Sequence, residues 1–253
     1  MPERLSYPPG IPSWVDLSTP DPVAARDFYG LLFGWQFSTN KEFGYTTASR
    51  KGRNVAGLVA RPIDEPAWTT YFATDDAAKV ESLVTANGGV VTRAPMRIGP
   101  LGTMIAWRDP TGAVAGAWQA GSMIGAQLVN ETGALVWNEH NSRDLGAAAA
   151  FYAAILPVTM QDMSHADFGY QTLQVQGRDI AGMWQMNAEV PANAAPNWAV
   201  YFGVDDTDAA VAAATRIGAT LTVPAKDSPY GRWAGFTDPQ GAPFHVIKTT
   251  PDD

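Results

Sequence analysis

The chain is written twice. Residues 13–35, SWVDLSTPDPVAARDFYGLLFGW, return in altered form as residues 136–156, VWNEHNSRDLGAAAAFYAAIL. Trp14 matches Trp137, Asp16 matches Glu139, Asp21 matches Asp144 and Phe28-Tyr29 matches Phe151-Tyr152, all 123 positions apart. Phe43-Gly44-Tyr45 and Ala56-Gly57 then match Phe168-Gly169-Tyr170 and Ala181-Gly182 at a separation of 125. Tyr71-Phe72 with Asp75-Asp76 matches Tyr201-Phe202 with Asp205-Asp206 at 130, and Asp109-Pro110 with Gly112 matches Asp238-Pro239 with Gly241 at 129. The separation changes only between elements, as insertions in loops require. Such self-similarity decides the architecture before any single element is read. The expected domains are 1–122 and 130–253, joined by a Gly-containing linker near 121–133, each long enough for a core of its own.

Each copy has the same grammar. A strand over 13–19 leads into Ser18, Thr19, Asp21 and Pro22, which supply cap and first-turn chemistry for a helix over about 21–33. Three short strands run to about residue 60, punctuated by Gly, Asn and Pro. A strand over 68–74 follows. Asp75-Asp76 then begins a second helix that stops at Asn87-Gly88-Gly89. Three more strands close the copy, the last two joined by an Asp-Pro-Thr-Gly turn at 109–112. The order βαβββ–βαβββ, repeated, predicts an α+β fold of four modules. Each half is expected as a curled, mixed eight-stranded sheet with flanking helices.

Composition narrows the chemistry. With no Cys there is no disulfide framework, thiolate metal site or thiol nucleophile, and three His leave room for at most one His-rich metal site. A net charge of −8 argues against nucleic acid and anionic membrane as partners. No stretch reaches the roughly 18 apolar residues of a membrane span. The opening MPERLSYPPGIPSW lacks the apolar run of a signal peptide, so a cytoplasmic location is expected. Nine Trp exceed what packing ordinarily uses.

The strand, Asp and helix ending in Phe-Tyr, followed by Phe-Gly, together with the Asp-Pro-x-Gly turn, resemble the vicinal oxygen chelate superfamily. It includes glyoxalase I, bleomycin- and fosfomycin-resistance proteins and extradiol dioxygenases. The paired "WVDLSTPD…FY" and "WNEHNSRD…FY" are similar to a tandem, two-domain actinobacterial subgroup. The resemblance implies that one chain mimics the dimer of single-domain relatives, so a monomer is expected. It also implies where metal-dependent members hold their ligands: Trp14 and Trp137 on the first strand, Thr69 and Ala199 on the fifth, Gly116 and His245 on the last. Of these only His245 is a useful donor. No metal and no other cofactor is therefore expected.

Strand parity places Trp14, Asp16 and Ser18 on one face of the first strand and Trp137, Glu139 and Asn141 on the matching face of its repeat. Gly116 and Trp118 line the first cleft, His245 and Ile247 the second. Glu139 and His245 form a candidate acid/base pair, or else a buried hydrogen-bonded pair with no chemistry. Asp16, with Gly opposite, is the weaker catalytic candidate. Trp14, Trp118, Trp137 and Trp184 are candidate walls for a flat apolar ligand, or core filling. Asn141 joins them as a binding candidate. Tyr230 and Arg232, in the loop region 224–233, are candidate rim contacts, while Lys226 reads more readily as part of a solvated turn. His140 and His165 are assigned no chemistry. The expected function is a metal-independent enzyme acting on an aromatic or apolar specialised metabolite by acid/base catalysis, through isomerisation, cyclisation, hydration or lyase chemistry. The alternatives are a protein that sequesters an antibiotic or metabolite without chemistry, and a metal-dependent glyoxalase or dioxygenase.

Overall fold

A computed structural model of the protein describes residues 3–40, 42, 44–62 and 65–250. Phe43, part of the repeated Phe-Gly-Tyr, lies outside them. The first half comprises β1 (Pro12–Thr19), α1 (Pro22–Phe33), β2 (Gln36–Asn40), β3 (Tyr45–Arg50), β4 (Arg53–Ala60), β5 (Ala67–Ala73), α2 (Ala77–Ala86), β6 (Val90–Ile98), β7 (Gly102–Arg108) and β8 (Val114–Ala120). The second comprises β9 (Leu135–Ser142), α3 (Leu145–Ile155), β10 (Thr159–Asp162), β11 (Tyr170–Val175), β12 (Arg178–Gln185), β13 (Asn197–Gly203), α4 (Thr207–Arg216), β14 (Thr220–Ser228), β15 (Gly231–Thr237) and β16 (Pro243–Thr249). The expected α+β fold of four βαβββ modules is present. Each half is one mixed eight-stranded sheet, ordered β2-β3-β4-β1-β5-β8-β7-β6 and β10-β11-β12-β9-β13-β16-β15-β14. Among the described residues no helix is long and apolar enough to cross a membrane.

The helix starts are where the sequence puts them. Asp21, Asp76, Asp144 and Asp206 are the N-caps, each carboxylate accepting from a backbone N–H of the first turn. Gly34 closes α1 in the left-handed conformation, at φ 69°.

Each half is long enough for a core of its own, yet the two largest core clusters are shared between the halves. Val15, Leu17, Phe28, Tyr29 and Phe33 of the first half pack in one cluster with Phe202, Ala214, Phe236 and Phe244 of the second. Phe72, Val84, Ile105 and Trp107 likewise share a cluster with Phe151, Tyr152, Met183 and Trp198. The helix-bearing faces of the two sheets are thus turned toward each other. Strands β5 and β13 approach at the centre, α1 contacts α4, and α2 contacts α3. Period-2 patterning tells which face of a strand is apolar but not which copy's helix will cover it.

Polar ties cross this shared core. The Asp109 Oδ1 closes its own turn by accepting from the backbone N–H groups of Thr111, Gly112 and Ala113. Its Oδ2 accepts from the Tyr152 hydroxyl at 3.0 Å and from His140 Nε2 at 2.8 Å, both in the other half. Burial works to raise the Asp109 pKa, but the bonds from His140, Thr111 and Tyr152 outweigh it and hold the carboxyl below its ordinary value. Asp238 repeats the arrangement toward Tyr29, at 3.0 Å. The position matching His140 is Leu17, so this second tie has no imidazole. Trp68 and Trp198 donate to the Tyr29 and Tyr152 hydroxyls in turn. His140 therefore serves the core, in keeping with a residue given no chemistry.

Candidate functional site

The helix-free face of each sheet carries one carboxylate clamped by two tyrosines. Strand alternation sends Val15 and Leu17 into the core and leaves Asp16 on the other side. There Tyr45 of β3 and Tyr71 of β5 donate to Asp16 Oδ2 and Oδ1, at 3.3 and 3.4 Å. Glu139 takes the same position in the second sheet. Tyr170 donates to its Oε2 at 3.0 Å and Tyr201 to its Oε1 at 3.1 Å. Each outer tyrosine reaches across a glycine that leaves it room. A Cβ on Gly57 would overlap the Tyr45 hydroxyl, and one on Gly182 the Tyr170 hydroxyl. The indoles of Trp14 and Trp137 complete the clamps by donating to the hydroxyls of Tyr45 and Tyr170.

Burial raises both carboxyls. Asp16 is pushed up to about 6, against the lowering influence of Arg61 and of the two tyrosine bonds. Glu139 is also raised by burial, with the bonds from Tyr170 and Tyr201 and the charge of Lys226 working the other way.

The two faces then diverge. In the first, Gly116 lies beside Tyr71 in the sheet, and the tyrosine ring occupies the space a side chain there would need. Trp14, Tyr71 and Trp118 form a cluster with Ala126 and Val129 of the connecting segment, with Leu101 and Met123 packed against it. The Trp118 indole donates to the Met123 carbonyl at 2.7 Å. Asp16 is left 7% exposed.

In the second face His245 occupies the position of Gly116. Its ring stacks on Tyr201, with centroids 4.5 Å apart and planes 18° apart, and Trp233 leans against both rings. Lys226 Nζ lies 4.6 Å from the centre of the Trp233 ring. Desolvation, opposed by a backbone hydrogen bond at Val200 and aided by the Lys226 charge, lowers the His245 pKa to about 4. Every residue of this cluster comes from its own sheet, and Trp137, Glu139, Trp233 and His245 stay half-buried.

Glu139 and His245 are on one face, as parity predicts, but they are not hydrogen-bonded to each other. Tyr201 stands between them, bonded to one and stacked on the other. Trp184 and Asn141 sit side by side at the end of this face, opposite Tyr170 and Asn197. Tyr230 is 58% exposed in the β14–β15 turn. Arg232 does not join the cleft. It alternates with Trp233, and its guanidinium is held on the helix side by Asp208 of α4 at 2.9 Å and by Asp227 at 3.1 Å. Sequence reasoning missed the four clamp tyrosines as functional candidates. The signal was present, since Tyr45/Tyr170 and Tyr71/Tyr201 recur in both copies beside the residues that were chosen.

The residues present do not suit a divalent metal. Among the described residues no three His, Asp or Glu side chains converge. Asp16 and Glu139 are each already engaged by two hydroxyl donors.

Comparison with known proteins agrees with the geometry of the fold. A glyoxalase-like domain model matches residues 137–247. The chain is 41% identical over 263 aligned positions to CFP32 of Mycobacterium tuberculosis, a provisionally named glyoxylase, with 99% of each chain covered. It is 35% identical to the anthracycline biosynthesis protein DnrV of Streptomyces peucetius, covering 96% of this chain and 94% of that one. The Mn(II)-bound glyoxalase of Novosphingobium aromaticivorans shares its fold, with a TM-score of 0.67 at 15% identity over 95% of this chain and 83% of that one. A tandem repeat of paired βαβββ modules and full-length relatives of this kind lead to one assignment: the chain belongs to the glyoxalase-like family of the vicinal oxygen chelate superfamily.

Proposed function

We propose that the protein is an enzyme of specialised metabolism that moves a proton on an aromatic or apolar metabolite, in the second cleft and without a metal. The observation that carries this reading is Glu139, a desolvated carboxylate held by two tyrosine hydroxyls in a half-open aromatic cup. A base needs a pKa near the working pH, and burial moves Glu139 in that direction. When Glu139 takes a proton from the ligand it no longer needs both hydroxyl donors. Tyr170 and Tyr201 are then free to donate to the oxyanion that the ligand develops, and the same proton returns from Glu139 to a different ligand atom. Net isomerisation follows, with nothing consumed. His245 is neutral at pH 7, so its part is to hold the Tyr201 ring by stacking. Trp137, Trp233 and Trp184 present apolar surface for a flat ligand. Lys226, at the rim over Trp233, favours a ligand that carries a phenolate or carboxylate.

The name of the relative DnrV supports an aromatic polyketide as the substrate class. Hydroxylated anthraquinones are therefore the first probes. The expected result is a product isomeric with the probe, found by chromatography and mass spectrometry, at a rate unchanged by a chelator. Tight binding with quantitative recovery of unaltered ligand would replace catalysis with sequestration. Turnover that stops with chelation and returns with added metal would overturn the metal-free reading.

A further inference from the structure

A cavity of about 310 Å³ lies on the helix-free face of the first sheet, bordered by the N-terminal segment and the connecting segment. Arg4, Leu5, Thr47, Asn54, Leu101 and Met123 are among its lining residues. Leu101 and Met123 also pack on the aromatic cluster of Trp14, Tyr71 and Trp118, so the cavity adjoins the first cleft. Its lining joins a cation to apolar side chains. The cation is Arg4, whose backbone is anchored to the connecting segment by its N–H bond to the Gln127 carbonyl at 3.0 Å. Its guanidinium lies 6.0 Å from the Tyr7 ring centre, and its Nε is buried with no hydrogen-bond partner among the described residues. Among those residues no carboxylate pairs with it, and neighbouring Glu3 faces Arg53 at 3.6 Å. Leu5, also in the lining, is 90% exposed, an apolar side chain open to water.

A guanidinium without a carboxylate partner attracts an anion, and an exposed leucine in the lining is surface that an apolar ligand would remove from water. Among the described residues no acidic side chain lines the cavity, although the protein as a whole carries a net charge of −8. We infer that this cavity is a second small-molecule site, separate from the second cleft, for an amphiphilic organic anion whose acidic group meets Arg4 and whose apolar body covers Leu5, Leu101 and Met123. Thr47 and Asn54 offer further polar contacts to the head group.

The probe is 1-anilinonaphthalene-8-sulfonate, an aromatic anion of suitable size, compared with uncharged N-phenyl-1-naphthylamine. Titration followed by fluorescence and calorimetry, run with the second cleft saturated by the hydroxyanthraquinone probe, should still give one sulfonate site per chain, bound at least tenfold more tightly than the uncharged analogue. Arg4→Gln should weaken the sulfonate at least tenfold and erase its advantage. Ser122→Phe, an exposed position in the lining, should block both probes by filling the space while the melting temperature stays that of the parent. The proposal is overturned if no saturable sulfonate binding occurs, if both variants bind it like the parent, or if the uncharged probe binds equally well.

Discussion

The two clefts share their centre and differ at their edges. Both hold a carboxylate between two tyrosines, over a glycine and under a tryptophan. That constellation is therefore a property of the repeated unit. Beside it the second cleft has His245, Trp233 and Lys226 where the first has Gly116, Met104 and Met96. The first cleft is overlaid by the connecting segment, while the second remains half-open. A desolvated carboxylate acts on a ligand only where a ligand can reach it, so access and the neighbouring strand separate the two clefts.

The sharpest way to break this comparison is to neutralise each carboxylate in turn. Glu139→Gln should lower turnover of the hydroxyanthraquinone probe by about 10²–10⁴-fold, as loss of a general base does. Asp16→Asn should leave turnover unchanged, and equal losses in steady-state kinetics would erase the distinction. The ties across the core come next. Asp109→Asn loses bonds from both Tyr152 and His140 and should cost about 2–4 kcal/mol in urea unfolding, since two buried groups lose their acceptor. Asp238→Asn, with Tyr29 alone across the interface, should cost about half that.

The Asp16 carboxyl makes a pH prediction. Its folded pKa of about 6 lies above the unfolded value near 4, so the folded chain holds the proton more tightly. The stabilisation this gives is complete below about pH 4 and is lost as the pH rises through about 6, a swing of roughly 2–3 kcal/mol. Unfolding free energies measured from pH 4 to 7 should show the decline in the parent, and Asp16→Asn should lack it. A smaller effect is expected of Gly182→Ala, whose methyl group would displace the Tyr170 hydroxyl and lower turnover about tenfold. The matching Gly57→Ala should disturb only Tyr45 and the melting temperature. Least of all should Arg232→Ala matter. Its partners are exposed, so stability should change by no more than about 0.5 kcal/mol and probe binding not at all.

Much of the fold was legible because Asp caps, Gly stops and period-2 strands are local signals, and because each was written twice. The helix α1 and the turn at 109–112 fall where Asp21-Pro22 and Asp109-Pro110 put them. The shared core was not legible, since no local pattern says that Phe28 will meet Phe244 rather than a residue of its own half. At the site, parity brought Asp16, Glu139, the tryptophans and His245 to the helix-free faces. It also assigns Arg232 to the face opposite Trp233, and the loop-based reading of residues 224–233 passed over that. Parity alone does not give the order of neighbours across strands. The register that sets Tyr201 beside His245 and Ala199 beside Glu139 is what separates the proposed pair.

One consequence follows from joining the halves through a common core. In a pair of identical subunits every amino-acid change is made at both sites at once, so a site cannot be closed or rebuilt without its twin changing too. Here the two copies are one polypeptide, bound face to face by Phe28 on Phe244 and Phe72 on Trp198. Each copy can accumulate its own substitutions while the other supplies an unchanged half of the scaffold. Covalent fusion thus makes room for a division of labour that a symmetric dimer is denied.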